Sequence, residues 1–144
     1  FDRDLRSKRA VHFKLKDLIK CLPANGHPMD ALQAAVAATG AFYPSRAVND
    51  PAKNWDAAVR LTAVLPTLVA AFARVRRGEE ILDPRSDLDH AANFYFMLFG
   101  KEPTPATRKV LDACLILHAE HQMNASTFTA RVTGSTLATP YQTI

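Results

Sequence analysis

Proline placement constrains this chain more than any other feature. Pro28, Pro51, Pro105 and Pro140 each stand at the head of a run with helical spacing, where a missing N–H costs nothing. Proline cannot sit inside a central β-strand, and no segment alternates convincingly at period two. The expectation is an all-α chain, a multi-helical orthogonal bundle. Composition agrees: 48% of the 144 residues are hydrophobic and 22% charged, enough apolar surface to offset ordering entropy. The net charge of +4 is mild. It suits an anionic ligand without arguing for nucleic acid.

The first helix is expected from about Asp4 to Lys20, with Leu5, Val11, Leu15, Leu18 and Ile19 as its apolar stripe and basic residues on the other faces. Pro23, Asn25 and Gly26 break the chain. The second helix starts at Pro28 and runs to Phe42, and small apolar residues cover nearly every face, the mark of a buried helix. Asp50 caps the third, which extends to Arg77 with Gly78 as its stop and a kink near Val64–Leu65 imposed by Pro66. Ser86 caps the fourth, which carries the aromatic run Phe94–Phe99 into the core and closes at Gly100. A fifth spans Thr104 to Glu120, with Val110, Leu111, Cys114, Leu115 and Leu117 at helical spacing. Asn124 caps a sixth, from Ala125 to about Leu137. Thr139–Pro140 opens another helix four residues before Ile144. That opening signal, and a start at Phe1, lead to the expectation of a piece cut from a longer polypeptide.

Several features read as structural. Trp55 is expected to anchor packing. Cys21 and Cys114, far apart and without a CxxC context, read as buried thiols in a reducing compartment. Leu61–Ala73 is too short to span a bilayer, so no membrane is implied. The basic N-terminal stretch reads as a solvated face. Arg74, Arg76 and Arg77 complement a helix dipole, with a CoA phosphate as the lesser alternative. His12 and His90 stand outside any constellation.

The chemistry concentrates between Leu115 and Val132. His118 and His121, three apart, share a helix face. A turn at Gln122–Met123 comes next, and a new helix starts at Asn124, leaving free amides near Ala125, Ser126 and Thr127. Imidazoles beside an open helix N-terminus suit a carboxylate. The plainer alternative makes one histidine a C-terminal cation and the other a hydrogen-bonded core residue. A metal pair is disfavoured, because the spacing is not HExxH and no third ligand lies nearby. Ser126 and Thr127 lack the strained elbow and triad order of nucleophiles.

His118-Ala-Glu-His121-x-x-Asn124-Ala-Ser126-Thr-Phe-Thr-Ala-Arg131-Val resembles the histidine motif of bacterial citrate and 2-methylcitrate synthases. His27-Pro28-Met29-Asp30 resembles that family's "HPMD" helix opening. Leu65-Pro66-Thr67 with the Arg74–Gly78 end resembles its long bent helix, and Asn93-Phe94…Met97-Leu98-Phe99-Gly100 its "NFxxMLFG" segment. All stand in family order from about Leu22 onward.

The resemblance implies part of the large domain of an α-helical, cytoplasmic, homodimeric enzyme. That enzyme condenses oxaloacetate with acetyl-CoA and hydrolyses citryl-CoA, without metal or cofactor; acetyl-CoA is a substrate. His121 would bind oxaloacetate or citrate, His118 would support the same turn, and Asn124 and Ser126 would brace it. The helix over Pro28–Phe42 would pack against a second copy. The family's catalytic residues, a histidine in a "GPLHGG" segment, a second histidine and an aspartate, find no match and are expected beyond Ile144, with the N-terminal region and most of the small domain also missing. The 144 residues alone are therefore expected to show no turnover. The alternatives are a 2-methylcitrate synthase using propionyl-CoA and a non-catalytic helical interaction module.

Overall fold

A computed structural model describes residues 1–119 and 122–144. They form eight helices and no strand: α1 (Asp2–Lys8), α2 (Phe13–Cys21), α3 (Pro28–Phe42), α4 (Pro51–Arg76), α5 (His90–Phe99), α6 (Pro105–Ala119), α7 (Ala125–Ser135) and α8 (Pro140–Thr143). The proline reading holds. Pro28, Pro51 and Pro140 sit in the first turns of α3, α4 and α8, and Pro105 opens α6.

The centre of the fold is α4, which packs against α1, α2, α3, α5 and α8. Its Leu61, Val64, Leu68 and Phe72 meet Leu15 and Ile19 of α2, Ala35 and Val36 of α3, and Tyr141 of α8 in one buried cluster. Among the described residues it is the one helix long and apolar enough to cross a bilayer, and half of its apolar window is buried beneath its neighbours, as in a core helix. Asp50 caps it, Oδ1 accepting from Ala52 N at 2.9 Å. Pro66 lies inside it and removes one intrahelical donor. At its far end Gly78 adopts φ 71°, the left-handed conformation a glycine takes without a Cβ clash.

The expected single helix over Asp4–Lys20 is two helices. No glycine or proline marks the break; a tertiary contact makes it. Arg9 is only 1% exposed, and its Nη1 donates to Leu88 O at 2.7 Å and Arg85 O at 3.2 Å. Chain that turns inward to bury a guanidinium does not continue α1. His12 then caps α2, Nδ1 accepting from Lys14 N at 3.2 Å, and its ring stacks on Phe13 and Phe42 with centroids 4.5 Å away in each case. Thus one basic residue expected on a solvated face is core, and a histidine expected to do nothing organises a helix start.

Other expectations are corrected. The cap of α5 is Asp89, accepting from Ala92 N at 2.7 Å, and not Ser86. Of the aromatic run only Met97 is buried; Phe94 to Phe96 and Leu98 are half-buried and Phe99 is exposed. Trp55 is 61% exposed, near the Phe1 ring, and anchors no core. Both cysteines are free and exposed. The short α8 persists because tertiary packing replaces helix length: Tyr141 is buried against α3, and Thr139 N donates to Gln142 Oε1 at 3.1 Å.

Helix α3 turns Ala31, Ala35, Val36 and Thr39 inward and leaves Gln33, Ala34, Ala37 and Ala41 exposed, so it is buried on one side only. The larger apolar exposure lies on α6, which rests on α5 alone among the recurrent helix contacts. None of its residues is buried, and Ile116 and Leu117 are 67% and 75% exposed. Helical spacing identifies an apolar stripe but not what covers it.

Candidate functional site

The turn between α6 and α7 is where the sequence concentrates its polar chemistry. His118 stands in the last turn of α6 with its side chain exposed. Its Nδ1 lies 2.7 Å from the carbonyl oxygen of Cys114, one turn back. A carbonyl only accepts, so Nδ1 carries the proton and Nε2 is left for another partner. His121 lies outside the described residues.

At Gln122–Met123 the chain turns, where the sequence places a turn. Gln122 takes φ 61°, uncommon for a residue with a Cβ, and Asn124 N donates back to Gln122 O at 3.1 Å. Asn124 is the N-cap of α7. Its Oδ1 accepts from Thr127 N at 2.7 Å and from Ser126 Oγ at 3.0 Å. The amide of Thr127 is therefore taken, which corrects the expectation of three free amides. Among the described residues those of Ala125 and Ser126 meet no acceptor. What remains is a short positive helix end with a hydroxyl beside it, on a chain of two bracing side chains. Its field favours an anion.

Ser126 and Thr127 also reach a broad groove of about 870 Å³, within the size range of small-molecule sites. The N-terminal part of α4 contributes Asn54, α7 contributes Arg131, and the far wall is Leu137, Pro140 and Ile144. His118 and Asn124 do not line it. Arg131 is the residue that sequence reasoning named only in passing. Four positions after Thr127, it falls on the same helix face, and among the described residues it makes no ion pair. The groove also depends on Val48 and Asn54, far off in sequence, for which no local signal exists.

Two of the three basic candidates at the end of α4 are absorbed by the fold. Arg74 pairs with Glu79 at 3.0 Å. Arg77 holds Glu79 at 2.9 Å and donates to Leu98 O at 2.5 Å; this pairing keeps the Glu79 carboxyl below its usual range. Through Glu79 and Leu98 both side chains fasten the end of α4 to the next part of the chain. Among the described residues no cluster of histidine, cysteine or carboxylate side chains could hold a metal ion.

The family model described as "Citrate synthase, C-terminal domain" matches residues 1–144. The chain belongs to the citrate synthase family. A citrate synthase from Synechocystis is 51% identical over the whole chain, which covers 36% of that relative. A 2-methylcitrate synthase from Mycobacterium tuberculosis is 41% identical over the whole chain and 36% of its own length. The crystal structure of citrate synthase from Pyrobaculum aerophilum superposes with a TM-score of 0.89 at 40% identity, over 98% of this chain and 37% of that one. The chain thus spans about a third of the length of the curated relatives it matches. Its all-helical architecture is the citrate synthase fold.

Proposed function

We propose that this chain is a large-domain segment of a cytoplasmic citrate synthase, which joins acetyl-CoA to oxaloacetate and hydrolyses the thioester to give citrate and CoA. The observation that carries this reading is the family match over the whole chain with the His118-Ala-Glu-His121-x-x-Asn124-Ala-Ser126 motif at the α6–α7 turn.

In this reading His121 binds oxaloacetate or citrate, and His118 steadies the same turn through its bond to Cys114 O. Asn124 and Ser126 brace the start of α7, whose first-turn amides draw a carboxylate. The proton-transfer groups belong to chain beyond Ile144. There an aspartate removes a proton from the methyl of acetyl-CoA, and histidines stabilise the enol and polarise the ketone it attacks. The new C–C bond forms at that carbon, and water then cleaves the thioester. No metal or cofactor takes part, and neither nucleic acid nor a membrane is a partner. The working form is a homodimer through α3, and the exposed apolar face of α6 favours a protein partner there as well.

The 41% identity to a 2-methylcitrate synthase favours one second reading, propionyl-CoA as the acyl donor. Both are tested by monitoring CoA thiol release from the whole polypeptide with oxaloacetate and either thioester. Acetyl-CoA is expected to give the higher kcat/KM. A preference for propionyl-CoA supports the second reading, and no release with either refutes both. His121→Ala is expected to raise KM for oxaloacetate; an unchanged KM removes that residue from the site. The 144 residues alone are expected to release no thiol.

A further inference from the structure

Helix α7 carries the positive end at Asn124–Ser126, yet it contributes no buried residue. Among the described residues its one recurrent helix contact is with α8. Helix α8 is four residues long and packs in turn on α3 and α4. This short helix is therefore the link between α7 and the body of the fold.

Both sides of the link are made at glycines. On the α3 side Gly40 lets the tyrosine of α8 come so close that an added Cβ would stand 2.9 Å from Tyr141 Cβ and 3.3 Å from its Cδ2. Tyr141 is only 3% exposed and belongs to the central cluster with Val36, Leu61 and Val64. It is covered within its own chain, so this contact does not compete with assembly through α3. On the α7 side a Cβ added at Gly134 would meet Thr143 Cγ2 at 3.8 Å, an ordinary packing distance. Thr143 is itself fixed, its hydroxyl donating to Thr139 O at 2.9 Å.

A helix tilts as a stiff rod. Ser126 stands eight positions before Gly134, about 12 Å along the axis at about 1.5 Å per residue. A tilt of about 5° at the Gly134 end thus shifts Ser126 by about 1 Å. Misplacement of that size, caused far from the chemistry, is enough to disturb a positioned group.

We propose that Tyr141 is a positioning residue for the substrate. Locked against Gly40, it sets α8, and through Thr143 and Gly134 it sets the direction of α7 and of the carboxylate-binding end at Asn124–Ser126. The proposal rests on the reading of the α6–α7 turn as part of an oxaloacetate site. Tyr141 itself touches no substrate.

The test measures thiol release by the whole polypeptide over a range of oxaloacetate and acetyl-CoA concentrations, and amide exchange along α7 without substrate. Tyr141→Leu is expected to raise KM for oxaloacetate by at least about fivefold, to leave KM for acetyl-CoA in place, and to speed exchange in α7 more than in α2. Tyr141→Phe keeps every atom that meets Gly40 and is expected to match the parent in both measurements. Thr143→Ser removes only the methyl that faces Gly134 and is expected to raise the same KM by a smaller factor; it decides alone if Tyr141→Leu misfolds. A role in folding only would lower the active fraction, and with it kcat, at unchanged KM. An unchanged KM for oxaloacetate in Tyr141→Leu overturns the proposal, as when other chain also holds α7. A Tyr141→Phe variant that fails like the leucine overturns it too, because the effect then belongs to the hydroxyl. If the unaltered polypeptide releases no thiol, the oxaloacetate reading fails by itself, and exchange in α7 alone decides whether Tyr141 holds that helix.

Discussion

Thr67 donates its hydroxyl proton to the carbonyl oxygen of Arg9 at 2.9 Å, across 58 positions of sequence. Thr67 is the residue after Pro66 in the middle of α4, and Arg9 ends α1. Both are buried. The bond pins the α1–α2 break to the central helix, so the Leu-Pro-Thr sequence serves tertiary contact as well as helix shape. Thr67→Val keeps the volume but leaves a buried carbonyl unpaired. The expected cost is about 1–3 kcal/mol, read from urea unfolding, with Thr67→Ser costing less. A Thr67→Val variant as stable as the parent would show that the break is held by other contacts.

Gly40 offers a test of sign. Glycine to alanine within a helix ordinarily stabilises by about 0.5–1 kcal/mol. At Gly40 an added Cβ would lie 2.9 Å from Tyr141 Cβ and 3.2 Å from its Cγ. Helix α8 would have to move off α3, exposing a tyrosine that is now buried. Gly40→Ala is therefore expected to destabilise by roughly 1–3 kcal/mol and to speed proteolysis near Pro140. A gain in stability would show that α8 yields freely.

Asn124 caps α7 with a side chain that also takes the Ser126 hydroxyl. Asn124→Ala is expected to cost about 1 kcal/mol and to raise amide exchange first at Thr127, whose proton it holds. Asn124→Ser is expected to recover most of the loss. Equal exchange at Thr127 in both variants would remove the cap from the account.

His90 sets a pH dependence. Burial, and after it the charge of Arg9, holds its imidazole below the ordinary value near 6.5. The unfolded chain therefore binds a proton at higher pH than the folded one. The stability from a neutral His90 is whole above about 6.5 and is lost as pH falls from there toward the lowered folded value. Asp56, Glu79 and Asp87, whose pairing with basic side chains lowers them, add losses in the same direction only in the carboxylate range. His90→Asn is expected to flatten the stability profile just below pH 6.5 and to leave the more acidic limb unchanged. An unaltered slope across that window would dismiss His90 as its source.

What could be read from the sequence was local. Pro28 and Pro51 stand directly after their caps, and Asp50, Asn124, Gly78 and Gly100 act within a turn of the backbone they satisfy. Those helix starts and stops therefore lay open to inspection, whereas Ser86 and Asp89 both offered a cap for α5 and packing selected Asp89. The α6–α7 turn with Asn124 at its head was legible for the same reason. So was the family, through short runs at helix ends whose order survives without knowledge of the packing.

What the sequence could not decide was which side of each helix is covered. Arg9 and Ile116 make the case from opposite directions. A guanidinium is core because Leu88 and Arg85 carbonyls from distant chain meet it, and an isoleucine is exposed on α6, which among the described residues rests on α5 alone. Burial and the break after α1 belong to contacts between remote segments, and so does the groove beside α7. Spacing along one helix determines which residues share a face. Only the arrangement of the others in space determines what that face meets.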